Sequence, residues 1–315
     1  PLSHTLEHLL IDRFDHEMMS LAVMKQLDKE FDGALKTAIS IFTDQHPKRF
    51  LHQLISSQLD IDRLDYLKRD SFFTGVSEGS VGINRILKTM RVHNGNIVVE
   101  RKGIYAVENY ILSRRFMYMQ VYLHKTVLGA DSLLRSILRR VKDLTDAGSP
   151  PAIPSPPLHY FLTTRPTAEQ RLDEETIRNY LELDDVDLHH CLKFWTTADD
   201  PVLRDLAGRF VNRRLPRTRF LDGPPTPTQR QDRLAEVCAA LHGLGLPDDE
   251  TTAGYYHDFN ELRSEAYRYQ NEGIWILDDD GTAVEFSKAA DARHITALTE
   301  PVIRHYAVSI KEAEA

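Results

Sequence analysis

Cysteine, an excess of positive charge and long apolar runs are all missing or scarce in this 315-residue chain, and each shortage removes a class of protein. Two cysteines, Cys191 and Cys238, lack the paired spacing of a zinc site or a disulfide framework. Both are expected as buried free thiols. Asp and Glu outnumber Lys and Arg by 47 to 39, for a formal charge of -8. Gripping a nucleic-acid backbone needs a basic surface that releases counterions, so no stable nucleic-acid partner is expected, while a local basic pocket for one phosphate compound stays open. No run reaches the roughly 18 consecutive apolar residues of a membrane span, and PLSHTLEH carries no signal segment. The expectation is a cytoplasmic protein with no membrane partner. An initiator methionine is absent as well: Pro1 begins inside what reads as a structured segment, so residues before it are expected.

Apolar residues at 42% and charged residues at 27% are enough for a full-sized core. From His16 to about Leu144 the pattern is helical, with apolar residues at three-and-four spacing in HEMMSLAVMKQLDKEF, ALKTAISIF and KRFLHQLISSQ. RVHNGNIVVE interrupts it, and Asn94-Gly95 between β-prone runs reads as a hairpin turn. The forty residues that follow contain no proline and read as a long core helix with one break near Gly129. AGSPPAIPSPP, residues 147–157, reads as a proline-rich loop. Helices then recur in DEETIRNYLEL, DVDLHHCLKFW and DPVLRDLAGRFVNRRL. From Arg217 onward the period shortens, with strands in RTRFL, GYYHDF, GIWILDD, TAVEF and PVIRHYAVSI around a helix in QRQDRLAEVCAALHGLG. The expected fold is mainly α, with a helical core over 1–146, the loop, further helices over 158–215 and a smaller α+β unit over 216–315.

Three stretches carry candidate chemistry. On a helix at roughly 100° per residue, LDIDRLDYLKRD puts Asp62, Arg63, Tyr66 and Asp70 within one arc, with Ile61, Leu64 and Leu67 behind them. The front is one wall of a site, or a solvated face with pairs such as Asp65 with Arg69. In PLSHTLEH and FDHE, His4 and Glu7 share a helical face and His16 opens the next helix. Histidines beside carboxylates suit general acid-base work, and equally suit ordinary structural hydrogen bonding. Arg114, Arg115, Tyr122 and His124 offer a planar fork for phosphate oxygens and an aromatic surface, or line an ordinary amphipathic helix. His257-Asp258 and the cluster Asp187, His189 and His190 read as structural.

Taken together, PLSHTLEH, DHE and SSQLDIDRLDYLKRDSFFTGVSEG resemble the HD-domain phosphohydrolases of the deoxynucleoside triphosphate triphosphohydrolase type. SRRFMYMQVYLHK and ILDDDGTAVEFSKAADARHITALTEPVIRHYAV extend the resemblance over most of the chain. It implies an HD-domain helical body with a smaller C-terminal α+β unit, and a divalent metal (Mn, Mg, Fe, Ni or Zn). The metal would be held by a histidine, a His-Asp pair and a distant aspartate. Asp62 matches the distant aspartate. The other ligands belong to a segment ending in HD-x-GHGP-x-SH, of which only Pro1, Leu2, Ser3 and His4 remain. The resemblance further implies that His4, Glu7 and His16 form the acid-base group, and that Arg63 and Arg114 contact phosphates. Tyr66 would contact sugar or phosphate, Asp70 the 3′-hydroxyl, and Tyr122 and His124 the region around the base. Arg63 stands where the vertebrate member has lysine, which keeps the charge and changes the geometry. A nucleotide substrate, a nucleotide activator and a dimeric or tetrameric assembly are implied too. Alternative readings are an HD phosphomonoesterase or phosphodiesterase on another nucleotide, and a catalytically degenerate nucleotide-binding module.

Overall fold

The structure is a computed structural model that describes residues 16–167, 169–264, 273–289 and 302–314. The described residues begin with α1 (His16–Glu30), α2 (Lys36–Phe42) and α3 (Phe50–Ile55). Helices α4 (Ile61–Thr74) and α5 (Ile83–Thr89) lead into a hairpin of β1 (Met90–His93) and β2 (Asn96–Glu100). Two longer helices, α6 (Ile104–Met117) and α7 (Lys125–Asp146), follow. Next come α8 (Pro156–Thr163), α9 (Glu174–Glu182), α10 (Asp185–Trp195) and α11 (Pro201–Val211), then β3 (Arg217–Leu221) and α12 (Pro227–Gly243). The last part holds β4 (His257–Ser264), β5 (Trp275–Leu277), β6 (Ala283–Glu285) and β7 (Val302–Ser309). The mainly α expectation therefore holds, and the strands expected after Arg217 are present. Among the described residues, no helix is long and apolar enough to cross a membrane.

Two compact units share the chain, and neither follows one continuous stretch of it. One gathers residues 1–27, 125–261 and 304–315, the other 28–124 and 262–303. In the first unit, α7, α8, α10, α11 and α12 enclose a core around Trp195, Phe161, Leu192 and Leu206, all fully buried. Its sheet runs in the order β3-β7-β4, with β3 antiparallel to β7 and Phe220 opposite Tyr306. Cys191 is buried in this core as a free thiol whose pKa burial pushes up to about 11. Cys238, also free, is only partly buried. The Asp187 carboxylate accepts the Asp184 amide at 3.0 Å and completes a capping box at the start of α10.

The second unit is built on α4 and α6 against a four-stranded sheet in the order β1-β2-β5-β6. Asn94 and Gly95 both have positive φ, 48° and 77°, which is the backbone a two-residue hairpin turn demands. Arg101 grips the Asp278 carboxylate with two nitrogens and fastens β2 to the strand that pairs with it in parallel. Leu64 and Leu67, the apolar back of α4, pack with Ile86, Val107, Tyr110 and Phe286.

The expected forty-residue helix is interrupted earlier than its glycine. The α-helical ladder stops at Met117 and gives way to a π-helical turn over Tyr118–Tyr122, where the Leu123 amide reaches the Tyr118 carbonyl at 2.8 Å. Gly129 instead lies inside α7 and serves close approach: a Cβ there would stand 2.9 Å from the Pro216 carbonyl oxygen. Truncating the fully buried Leu67 to alanine is expected to lower stability by about 2–5 kcal/mol through lost burial and a residual cavity. Denaturant unfolding of Leu67→Ala beside an exposed-site control measures this.

Candidate active site

Helix α4 begins on a buried carboxylate. Asp60, 4% exposed, takes the Arg63 amide at 2.7 Å and the Ser57 amide at 3.3 Å, as an N-cap aspartate does. Burial outweighs these bonds and the nearby Arg63, and holds the Asp60 carboxyl above its ordinary pKa. The Arg63 side chain curls back on the same helix start, with Nε 3.4 Å from the Asp60 carboxylate and Nη1 donating to the Ser57 carbonyl at 2.5 Å. Asp62, in the first turn, is exposed, and among the described residues neither a hydrogen bond nor an ion pair occupies its carboxylate. Asp65 and Arg69 form the expected i,i+4 pair at 2.9 Å, well out in solvent.

One turn further along, the front of α4 meets α6 and the π-helical turn. Arg114 donates to the Gln58 side-chain oxygen at 3.1 Å, and its guanidinium lies over the Tyr118 ring, 5.6 Å from the centroid. Its Nε is enclosed and has no hydrogen-bond partner among the described residues. Tyr122 donates to the Asp70 carboxylate at 2.7 Å. The Tyr122 ring meets Tyr118 and Tyr66 edge-on, at centroid distances of 5.2 and 6.1 Å. Tyr66 and Tyr118 share a hydrogen bond, and both Arg63 and Arg114 act electrostatically on the Tyr66 phenol. Burial, reinforced by Tyr118, pushes the Tyr66 phenol up to about 12. Burial and the hydrogen bond that Tyr122 donates to Asp70 raise its pKa as well.

Arg63, Tyr66, Asp70, Arg114 and Tyr122 thus lie close together, whereas helical placement alone left an ordinary solvated face open for each stretch and only the resemblance grouped them. His124 follows the turn as an exposed residue. His16 opens α1, exposed, and belongs to the other compact unit. His4 and Glu7 lie outside the described residues. Sequence reasoning overlooked Tyr118 and Gln58. Tyr118 had a signal, since Arg114, Tyr118 and Tyr122 recur at four-residue steps along one face. Gln58 had none, because its role is set by the helix it meets.

A divalent cation needs several oxygen or nitrogen donors. Asp62 fits as one of them, its oxygens open to solvent. Among the described residues, no group of three or more His, Cys, Asp or Glu stands together to complete such a site.

With this geometry in view, the relatives define the class. Residues 81–150, which span α5 to the end of α7, match the family model of the HD-associated region. A crystal structure of a phosphohydrolase from Bacteroides thetaiotaomicron superposes with a TM-score of 0.90 at 38% identity, covering 98% of this chain and 75% of that one. The chain belongs to the HD-domain phosphohydrolase family. By sequence it is also 34% identical over 222 residues to YwfO of Bacillus subtilis, which covers 68% of this chain and 49% of that protein. A Dictyostelium discoideum protein named as a deoxynucleoside triphosphate triphosphohydrolase SAMHD1 homologue is 28% identical over 142 residues, 40% of this chain and 27% of its own. The chain spans about half the length, or less, of the relatives it matches by sequence.

The raised Tyr66 pKa carries a pH signature. A phenol whose pKa is higher in the folded state contributes stability that is present below its ordinary value of 10.0 and is lost as the pH climbs toward about 12. Unfolding free energies measured across that window should fall less steeply for Tyr66→Phe than for the unaltered protein. Equal slopes would show that this phenol titrates normally.

Proposed function

We propose that the cluster on α4 and α6 is the substrate wall of a phosphohydrolase that cleaves a deoxynucleoside triphosphate to deoxynucleoside and inorganic triphosphate. The observation that carries this reading is Arg114. Its partners are the Gln58 amide, the Tyr118 side chain and the nearby Tyr66 and Tyr110 phenols, all neutral groups; its Nε is enclosed without a hydrogen-bond partner, and it makes no ion pair among the described residues. Enclosing an uncompensated positive charge is costly, and an anionic ligand removes that cost. The family resemblance supports phosphate as that anion.

Arg114 then binds the phosphate chain with the planar fork that suits its oxygens. Asp70, already holding Tyr122 with one oxygen, has a second oxygen that accepts a sugar hydroxyl. Tyr66, kept neutral across the physiological range, remains a hydrogen-bond donor and never an anion facing phosphates. Arg63 reaches a ligand by exchanging its contacts at the helix start, so Arg114 bears more of the recognition. A divalent ion held by Asp62 together with ligands outside this numbering would polarise the attacked phosphorus and activate water when bound. The acid-base roles of His4, Glu7 and His16 follow from the resemblance and form part of the same proposal.

Full-length protein supplied with Mn²⁺, Mg²⁺ or Fe²⁺ is expected to release deoxynucleoside from a deoxynucleoside triphosphate, and Asp62→Ala to abolish the release. Arg114→Ala should raise KM for the triphosphate by about tenfold or more while sparing hydrolysis of small phosphate monoesters. Loss of both activities together would favour a phosphomonoesterase site. Release of no nucleoside under any metal or added nucleotide would sink the reading.

A further inference from the structure

Arginines that fasten elements in this chain are held in two ways. Arg209, 2% exposed, donates to Asp205 at 2.6 Å and to both oxygens of Glu312 at 3.0 Å. Arg140 donates to both oxygens of Asp200, at 3.1 and 2.6 Å, and Arg101 grips Asp278. Each of these pairs fixes a guanidinium by neutralising it. Arg114 is fixed differently: its Nη1 donates to the side-chain oxygen of Gln58 at 3.1 Å, and no carboxylate pairs with it among the described residues.

The oxygen that Gln58 presents is a fixed one. Gln58 is 4% exposed, its own backbone carbonyl accepts the Tyr110 hydroxyl at 2.7 Å, and Leu59 beside it is buried in the core. Tyr110 and Arg114 stand one turn apart on α6, so two bonds from one helix arrive at one residue. A glutamate of the same length would reach the same nitrogen and would also cancel its charge. An apolar side chain of that length would leave the charge whole and the guanidinium free to turn. An amide separates the two effects: it orients the fork and leaves the charge for a ligand.

We infer that Gln58 is the positioning residue of Arg114, a neutral acceptor that aims the guanidinium at the anionic group of the substrate without cancelling its charge. The inference rests on the reading of Arg114 as the phosphate contact and adds what keeps that contact both oriented and charged. A fork already held in one orientation loses less freedom on binding, so it grips a phosphate chain more tightly than a loose side chain would. Gln58 itself touches no reacting atom. Its influence passes through Arg114 and disappears when Arg114 is removed.

Steady-state hydrolysis of a deoxynucleoside triphosphate by the full-length protein with Mn²⁺ tests it, comparing Gln58→Glu, Gln58→Met, Arg114→Ala and each Gln58 change combined with Arg114→Ala. Gln58→Glu should raise KM about tenfold or more, close to the effect of Arg114→Ala, with a smaller change in kcat. Gln58→Met, which keeps the charge but not the bond, should raise KM by about threefold. In the combined variants neither Gln58 change should add to the loss of Arg114. A role confined to folding would instead lower kcat and stability together and would persist without Arg114. Should Gln58→Glu fail to fold, Gln58→Met alone and combined with Arg114→Ala gives the same comparison. KM unchanged by the Gln58 variants while Arg114→Ala raises it, or a Gln58 effect that survives without Arg114, would overturn this inference and leave the reading of Arg114 standing. KM unchanged by Arg114→Ala, or no hydrolysis to measure, would remove both.

Discussion

Gln58 joins two helices through two acceptors, and the geometry of the cluster depends on it. Its backbone carbonyl takes the Tyr110 hydroxyl at 2.7 Å, and its side-chain oxygen takes Arg114 at 3.1 Å. The residue is 4% exposed, so neither bond is readily replaced by water. Each is worth only about 1 kcal/mol net, but leaving a buried partner unsatisfied costs about 1–3 kcal/mol, which is why such a joint holds its geometry. Leu59 anchors beside it in the core, and Asp60 starts α4 two residues later. The front of α4 is thereby set against α6 before any side chain of the cluster makes its own contact.

Much of this was legible in the amino-acid order. The three-and-four spacing of Leu64 and Leu67 marked the buried back of α4, and Asp60 behaved as the N-cap its type favours. Asn94-Gly95 turned where such a pair must turn, because few residues tolerate two successive positive φ values. The Asp65 and Arg69 pair was readable from spacing alone. The strands after Arg217 were readable too, since their period and β-branched content differ from the helices before them.

What escaped reading was set at longer range. Nothing local in YMQVY marks a π-helical turn, since these residues accept an α-helix equally well. The glycine that offered itself as a break is used for contact with Pro216. Arg63 illustrates another limit: a helical wheel places a guanidinium on the front of α4 but does not show that Asp60 and Ser57 draw it back along the axis. Gln58 was invisible for the same reason, as its function resides in Tyr110 and Arg114, more than fifty positions away.

The five-residue turn at Tyr118 also bears on how insertions and deletions are tolerated here. A π-helical turn holds one residue more than the α-helix it interrupts, and each residue advances a helix by about 100°. Losing one residue between Tyr118 and Tyr122 would restore a regular ladder at little local cost. It would also carry the Tyr122 hydroxyl away from Asp70 and break the row of rings that now begins at Arg114. Length at this point is therefore a stricter requirement than residue identity. A relative in which the turn is one residue shorter would have to rebuild the Asp70 contact from another position.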